Sequence, residues 1–414
     1  MSEREEPEPS RGIQRQRAAS AALSEEEPSS TPVVPIAPPP ARDIISRSPV
    51  FDLAGRVNVI WESSRVDDVS QVFANRWNVA DAETAIPTDT APRQISAGSA
   101  AHRYPAVVVL PGGDLVVVYE TAREDIYFKR GPFERLATAA ERPVATSQRE
   151  MEKFPFVVRS GTHLVFFWMS ADRHDPRPRW RVRARTYTPA WTEAEASWGP
   201  AHDLSQTGTF LEEGPGVFHA AVDEAGETWA AFQTDAKMIQ AVRFDSATGQ
   251  TTQPHPFHIP HAKSKSPAVV VDGDRAVWVF WQAGERIFSQ RFRRDLDPPQ
   301  WAENVTPVPG AATGSDVTPA AVRDAAGVIW LFWSRYRPDP DAAPDQFVEL
   351  VDPYLVRHYP VTGWGEPFRV SASPFSGFGP VPVLGPGGRI WLFWSDAVGD
   401  SQGDLFFKQL GTSM

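Results

Sequence analysis

Apolar and polar positions along the chain fall into a repeating pattern of short segments. Seven times a proline-led apolar segment is followed by a second apolar run that ends in an aromatic. The leading prolines are Pro49, Pro105, Pro155, Pro215, Pro267, Pro319 and Pro380; the second runs end at Trp61, Tyr119, Trp168, Phe232, Trp281, Trp333 and Trp394. Successive aromatics stand 49 to 64 residues apart, a period that marks a radial or linear array of like units. The fifth unit reads as Pro267 to Val271, a polar hairpin at Asp272-Gly273-Asp274, Ala276 to Trp281, Ile287 to Phe292, and Trp301 to Thr306. Four short strands bounded by turn residues predict a four-stranded antiparallel blade.

The second strands do not alternate. Val277 to Trp281, Ile329 to Trp333 and Ile390 to Trp394 are apolar throughout. A strand covered on one face alternates with period two, whereas a continuous apolar run is covered on both. Blades packed face to face around an axis cover both faces of their middle strands, so the pattern predicts an all-β, seven-bladed propeller. The last unit stops after a third strand, Leu405 to Lys408, and Asp43-Ile44-Ile45-Ser46 resembles the fourth strands at Asn304-Val305-Thr306 and Arg369-Val370-Ser371. The expectation is that this N-terminal strand completes the last blade and removes an open sheet edge.

Composition divides the chain into a tail, residues 1–42, and a propeller, residues 43–414. The tail holds eight prolines, seven glutamates and no aromatic. Too little apolar surface is present to offset the entropy of ordering, so disorder is expected, with a semi-rigid exit at Pro38-Pro39-Pro40. The start, Met1-Ser2-Glu3-Arg4-Glu5-Glu6, has no apolar core of a secretory signal. No apolar run is long enough to span a membrane. The chain is therefore expected to be cytoplasmic or exported by a route that needs no such signal. Arg11 to Arg17 followed by Glu25 to Glu27 resembles leaders on cargo of contractile injection systems. The absence of cysteine excludes a disulfide framework and thiolate metal sites.

Candidate chemistry concentrates on one face. Loops that enter each inner strand share a propeller face with the loops joining second and third strands, and that face is the usual ligand site. Two residues before the leading prolines stand Arg47, Arg103, Lys153, Glu213, Lys265, Val317 and Phe378. The second-to-third loops add Arg65, Arg123, Arg173, Lys237, Arg286 and Arg337. On a chain of net charge −11, these predict a cationic mouth for carboxylated, sulfated or otherwise anionic ligands. The alternative is that the cations pair with neighbouring Asp and Glu and contribute little. The acidic composition, with pI near 5.4, argues against a nucleic-acid partner.

The Trp-rich second strand at Ile390-Trp391-Leu392-Phe393-Trp394, the Gly-bearing hairpin before it, and Trp198-Gly199-Pro200 and Trp364-Gly365-Glu366-Pro367 give the repeat its character. It resembles the sialidase-like and lectin-type β-propellers across nearly the whole body. The Ser-x-Asp-x-Gly-x-Thr-Trp hairpin of sialidases is absent; Asp223 to Trp229 comes nearest. The Gly-His and Trp-Asp signatures of WD repeats are absent too. Lectin-type propellers imply sugar sites between blades built from an aromatic, an Arg and a Glu. Trp61-Glu62 with Arg65, and Tyr119-Glu120 with Arg123, repeat that trio. The same aromatics also suit the core.

For a hydrolase, Glu212, Glu213 and Asp316 supply mouth carboxylates and Tyr104 lies beside Arg103, but no spacing singles out a catalytic pair. His255, His258 and His261 are separated by prolines and do not form a local metal site. The sequence thus points to a non-catalytic binding module with no cofactor, its partner a glycan or, alternatively, a protein in a larger assembly. A sialidase-like glycoside hydrolase is the third reading.

Overall fold

Each apolar run ending in a repeat aromatic is the second strand of an antiparallel sheet, and seven such sheets form a ring in a computed structural model of the chain. The structure describes residues 34–35, 43–45 and 49–411, except for 67, 79–85, 88–91, 190–195, 206–215, 224–225, 235, 253–254, 258, 260–261, 273–275, 311–314, 339–348, 372–375 and 399–400. Strands run from inner to outer in chain order. In blade two they are His102–Val109, Leu115–Thr121, Ile126–Gly131 and Arg142–Ala145; in blade three they are Glu150–Ser160, His163–Asp172, Arg181–Thr188 and Ser197–Asp203. The inner strands of blades four to seven are Phe218–Val222, Ser264–Val271, Ser315–Arg323 and Ser376–Leu384. Neighbouring inner strands pack against one another around the axis. Outer strands are short, and in blades one, five and six they break in two: Gln300–Trp301 and Thr306–Pro307 both pair with Arg286–Arg293.

The two-sided burial expected of the second strands is present. Trp61, Tyr119, Phe232, Trp281, Trp333 and Trp394 are 0% exposed and Trp168 1%. Their neighbours in sequence are buried as well: every residue of Val277–Ala283 is covered. The core is a set of layers between blades. One layer joins Trp61, Val59 and Trp77 of blade one to Trp391, Phe393 and Phe407 of blade seven, and so closes the ring by packing. Burying one such side chain is worth roughly 1.5–3 kcal/mol.

The strand expected to complete the last blade does something else. Asp43–Ile45 pairs with Val57–Val66, Ile44 opposite Glu62 and Ile45 opposite Trp61, and so forms part of the inner strand of blade one. Val50–Phe51 continues that pairing beyond Pro49, opposite Asn58 and Val57. The reason is positional. Inner strands elsewhere begin well ahead of their proline, as at Glu150 before Pro155, and only residues 43–51 can fill that place in blade one. The outer strand of blade seven is instead Val34–Pro35, antiparallel to Ser401–Leu410 with Val34 opposite Phe407. Most of the expected tail, residues 1–33 and 36–42, lies outside the described residues, as does the leader-like segment. Among the described residues no helix is long and apolar enough to cross a membrane.

The leading prolines mark a bulge. Pairing slips between Arg103 and Ala106, Lys153 and Phe156, Lys265 and Ala268, Val317 and Ala320, and Phe378 and Val381. A proline has no N–H to give the ladder, so the strand must skip there. The residue before it takes a left-handed conformation: φ is 52° at Tyr104, 55° at Phe154, 52° at Ser266, 50° at Thr318 and 64° at Gly379. Such bulges re-aim the side chains that precede them.

Candidate functional site

The bulges lie at one end of the inner strands, and the turns joining second to third strands sit beside them. Glu152 N–H donates to Glu124 O at 2.7 Å, Ser264 N–H to Lys237 O at 3.0 Å and Asp316 N–H to Glu285 O at 3.1 Å. Each donor stands three residues before a leading proline; each acceptor is in the second-to-third turn of the preceding blade. One face therefore carries both sets of loops expected to line the mouth.

Arg103, Lys153, Lys265 and Val317 occupy equivalent register positions, paired with Glu120, Met169, Gln282 and Ser334. The backbone of Phe378 has the same place opposite Ser395. Arg47 and Glu213 lie outside the described residues, as do Glu212, His258 and His261. The ring is not uniform. Arg103 is exposed and Lys265 half-buried, and neither forms an ion pair among the described residues. Lys153 is engaged, with Nζ 3.0 Å from Glu124 Oε1 and 5.5 Å from the centre of the Trp180 ring.

The second-to-third turns divide in the same way. Arg123 and Arg286 are exposed, with no ion pair among the described residues. Arg65 lies over Trp61 at 5.7 Å and Phe73 at 5.2 Å, and its Nε donates to Ser63 Oγ at 2.9 Å. Arg173 donates to Glu124 Oε2 at 2.8 Å and to the carbonyl of Arg123 at 2.9 Å. Arg337 and Arg369 converge on Asp352 at 2.5 and 2.9 Å. Lys237, in the corresponding turn of blade four, is exposed too and has no ion pair among the described residues, so five of the cations expected at the mouth stay open: Arg103 and Arg123 on blade two, Lys237 on blade four, and Lys265 and Arg286 on blade five.

The aromatic, Glu and Arg trios do not make sugar platforms. Trp61 and Tyr119 have no exposed ring face, and Glu62 and Glu120 are 7% and 5% exposed. Glu62 Oε2 accepts the N–H of Tyr104 at 3.2 Å, and Glu120 Oε2 accepts that of Phe154 at 3.1 Å. Each carboxylate therefore caps the bulge of the next blade. The Glu that directly follows the repeat aromatic in blades one and two is the only sequence trace of this. Asp316 is likewise committed: fully buried, it accepts from Trp333 Nε1 at 2.9 Å and from Arg335 Nε at 2.6 Å. His255 stacks on Trp301 at 5.2 Å.

Electrostatics single out the interface of blades two and three. Burial pushes the Glu120 carboxyl up to about 7, against the pull of Phe154 N–H, Lys153 and Arg103. Burial also pushes Glu152 up to about 7, and the charge of Glu150 adds to it. The Ser170 hydroxyl and the Trp168 indole N–H face the Glu152 carboxyl and oppose that rise. Near them Glu150 binds Arg181 and Arg183, and Arg183 binds Asp203 at 2.9 Å. Sequence reading missed Glu152, because nothing in its spacing sets it apart. At the opposite end of the inner strands a cavity of about 490 Å3 opens on the axis, lined mainly by Ala221, Val269, Val271, Ala321, Val322 and Leu384. His219, Arg323 and Asp324 also line it, and it carries none of the open cations of the mouth.

No protein-family model matches the chain, and no curated protein matches it. Solved structures do. A lectin from Burkholderia pseudomallei is similar with 13% identity and a TM-score of 0.58, over 90% of this chain and 96% of that one. An α-L-arabinanase from Penicillium chrysogenum, solved with arabinobiose, is similar with 13% identity and a TM-score of 0.51, over 93% and 99%. The NanB sialidase of Streptococcus pneumoniae is similar with 12% identity and a TM-score of 0.47, over 96% and 72%. The chain is a seven-bladed propeller similar in fold to the lectin and the arabinanase, and at such identities the likeness concerns the fold alone.

Proposed function

We propose that the protein is a carbohydrate-binding propeller that recognises anionic saccharides on its cationic mouth. The observation that carries this reading is the set of open cations, Arg103, Arg123, Lys237, Lys265 and Arg286, on a chain of net charge −11. Many of its other cations are spent on carboxylates, as at Arg335 and Asp316. Guanidinium forks bind carboxylate or sulfate in bidentate fashion, and exposed contacts of this kind weaken as salt rises. The likeness in fold to a lectin and an arabinanase supports a saccharide over other anions. A glycan array with the full chain tests it. Acidic glycans should be retained, and Arg103→Ala/Arg123→Ala/Lys265→Ala/Arg286→Ala should abolish that retention. Retention of neutral glycans alone would defeat the reading.

A second reading is glycoside hydrolysis. Its support is the likeness in fold to an arabinanase, with Glu152, a buried carboxyl raised to about 7, as the group to test. Turnover of aryl glycosides, lost in Glu152→Gln, would favour it. Absence of turnover leaves the binding reading in place.

A further inference from the structure

Beside the open cations of blade two lies a loop that the repeat does not explain. Between the second and third strands of blade three the chain runs Arg173-His174-Asp175-Pro176-Arg177-Pro178-Arg179-Trp180-Arg181. Its base is pinned. Arg173 reaches back to the Glu124 carboxylate and to the carbonyls of Arg123 and Glu150, and Trp180 is buried in the core of blades two to four. Asp172 and Asp175 fold the first half by accepting the N–H groups of His174 and Arg177, each at 2.9 Å. The tip is then extended by chemistry. Pro176 and Pro178 offer no N–H to a sheet, and each holds the residue before it out of the helical region. Arg177 and Arg179 project from that tip, both exposed, with no ion pair among the described residues.

The carboxylates around this loop are already in use. Glu124 serves Arg173 and Lys153, Glu150 serves Arg181 and Arg183, and Asp172 serves Arg149. Arg173 holds the base of the loop against the Arg123 turn, so Arg177 and Arg179 belong to the same face as Arg103 and Arg123.

We propose that Arg177 and Arg179 form an outer subsite that selects acidic polysaccharide chains, bearing several carboxylate or sulfate groups, over single anionic sugars. This rests on the mouth being a saccharide site and adds the length and direction of the ligand. A polymer of acidic sugars fits better than nucleic acid: among the described residues no aromatic ring is exposed to stack on bases, while a charged sugar needs only guanidinium forks.

The test is equilibrium binding of the full chain to the shortest and the hexameric members of a galacturonate series and of a heparin-derived series. Wild type should bind a hexamer of one series at least about tenfold more tightly than its shortest member, more steeply dependent on salt. Arg177→Ala/Arg179→Ala should erase that difference and leave the shortest ligand unaffected, while Arg177→Lys/Arg179→Lys should keep part of it. An unchanged hexamer affinity in a variant that melts like wild type would overturn the subsite. Tighter binding of single-stranded DNA or polyglutamate than of either hexamer would overturn the ligand class. Failure of wild type to bind any of these saccharides would instead remove the mouth reading itself.

Discussion

Glu120 Oε2 accepts the backbone N–H of Phe154 at 3.1 Å, so a carboxylate at the end of one blade's second strand caps the bulge in the next blade's inner strand. Glu62 and Tyr104 repeat the relationship one blade earlier at 3.2 Å. At Tyr104 and Phe154 the left-handed residue before the proline turns its N–H away from its own sheet, and the neighbouring blade supplies the acceptor. Removing it strands a buried donor. Glu62→Ala and Glu120→Ala should each cost about 1–3 kcal/mol in urea unfolding, and the Gln variants clearly less. Equal costs for Ala and Gln would show that the acceptor is not what matters.

The same carboxyl makes stability depend on pH. Glu120 and Glu152 are both raised by burial to about 7, from an ordinary value of 4.5. A carboxyl raised on folding favours the folded state while it stays protonated. Its contribution is complete below the unfolded value and is lost as pH rises through the folded one. The melting temperature should therefore fall between about pH 5 and about pH 8, with each group contributing at most on the order of 3 kcal/mol. Glu120→Gln/Glu152→Gln should flatten that slope; a slope that persists in the double variant would contradict the assignment.

Asp316 and Arg335 form a buried pair joined by Trp333 Nε1. Burial pushes Asp316 up, and Arg335 opposes that by pairing with it. Arg335→Ala leaves an uncompensated carboxylate and should cost about 3–5 kcal/mol. Asp316→Ala/Arg335→Ala should cost less than the two single changes together. Simple additivity would mean that the two side chains act apart.

Ring closure offers a fourth stability test. Val34–Pro35 covers the outer edge of Ser401–Leu410, while Ile44 and Ile45 pair within blade one. Deleting residues 1–40 should lower the melting temperature by a few degrees, and deleting 1–48 by much more. Equal melts would show that the inner pairing of Asp43–Ile45 adds nothing.

The fold was legible in sequence because the second strands must be apolar on both faces. That demand writes an unbroken run ending in Trp281, Trp333 or Trp394, which no half-covered sheet produces. Closure was harder to read, since Asp43-Ile44-Ile45 satisfies an inner and an outer strand equally, and only the competing need of blade one decides. The hairpins hid a regularity of their own. Asp52, Asp223, Asp272 and Asp324 each accept, through Oδ1, the N–H four residues on, at 3.0, 2.8, 3.1 and 2.9 Å. Asp272 and Asp324 also take the indole N–H of Trp278 and Trp330 through Oδ2. A search for the stricter sialidase hairpin passes over them, because here the aspartate ends the inner strand. At the mouth, the sequence located the cations but not their partners. Lys153 and Arg103 are alike in register, yet Glu124 engages only Lys153; which cation stays open depends on the neighbouring blade.

The most direct measurement is a calorimetric titration of the full chain with galacturonate and heparin-derived hexasaccharides, and with the neutral maltohexaose. The cationic mouth calls for binding of at least one acidic ligand, weakening with salt and absent in Arg103→Ala/Arg123→Ala/Lys265→Ala/Arg286→Ala, and no binding of maltohexaose. Equal binding of the neutral chain, or acidic binding untouched by the fourfold change, would contradict it.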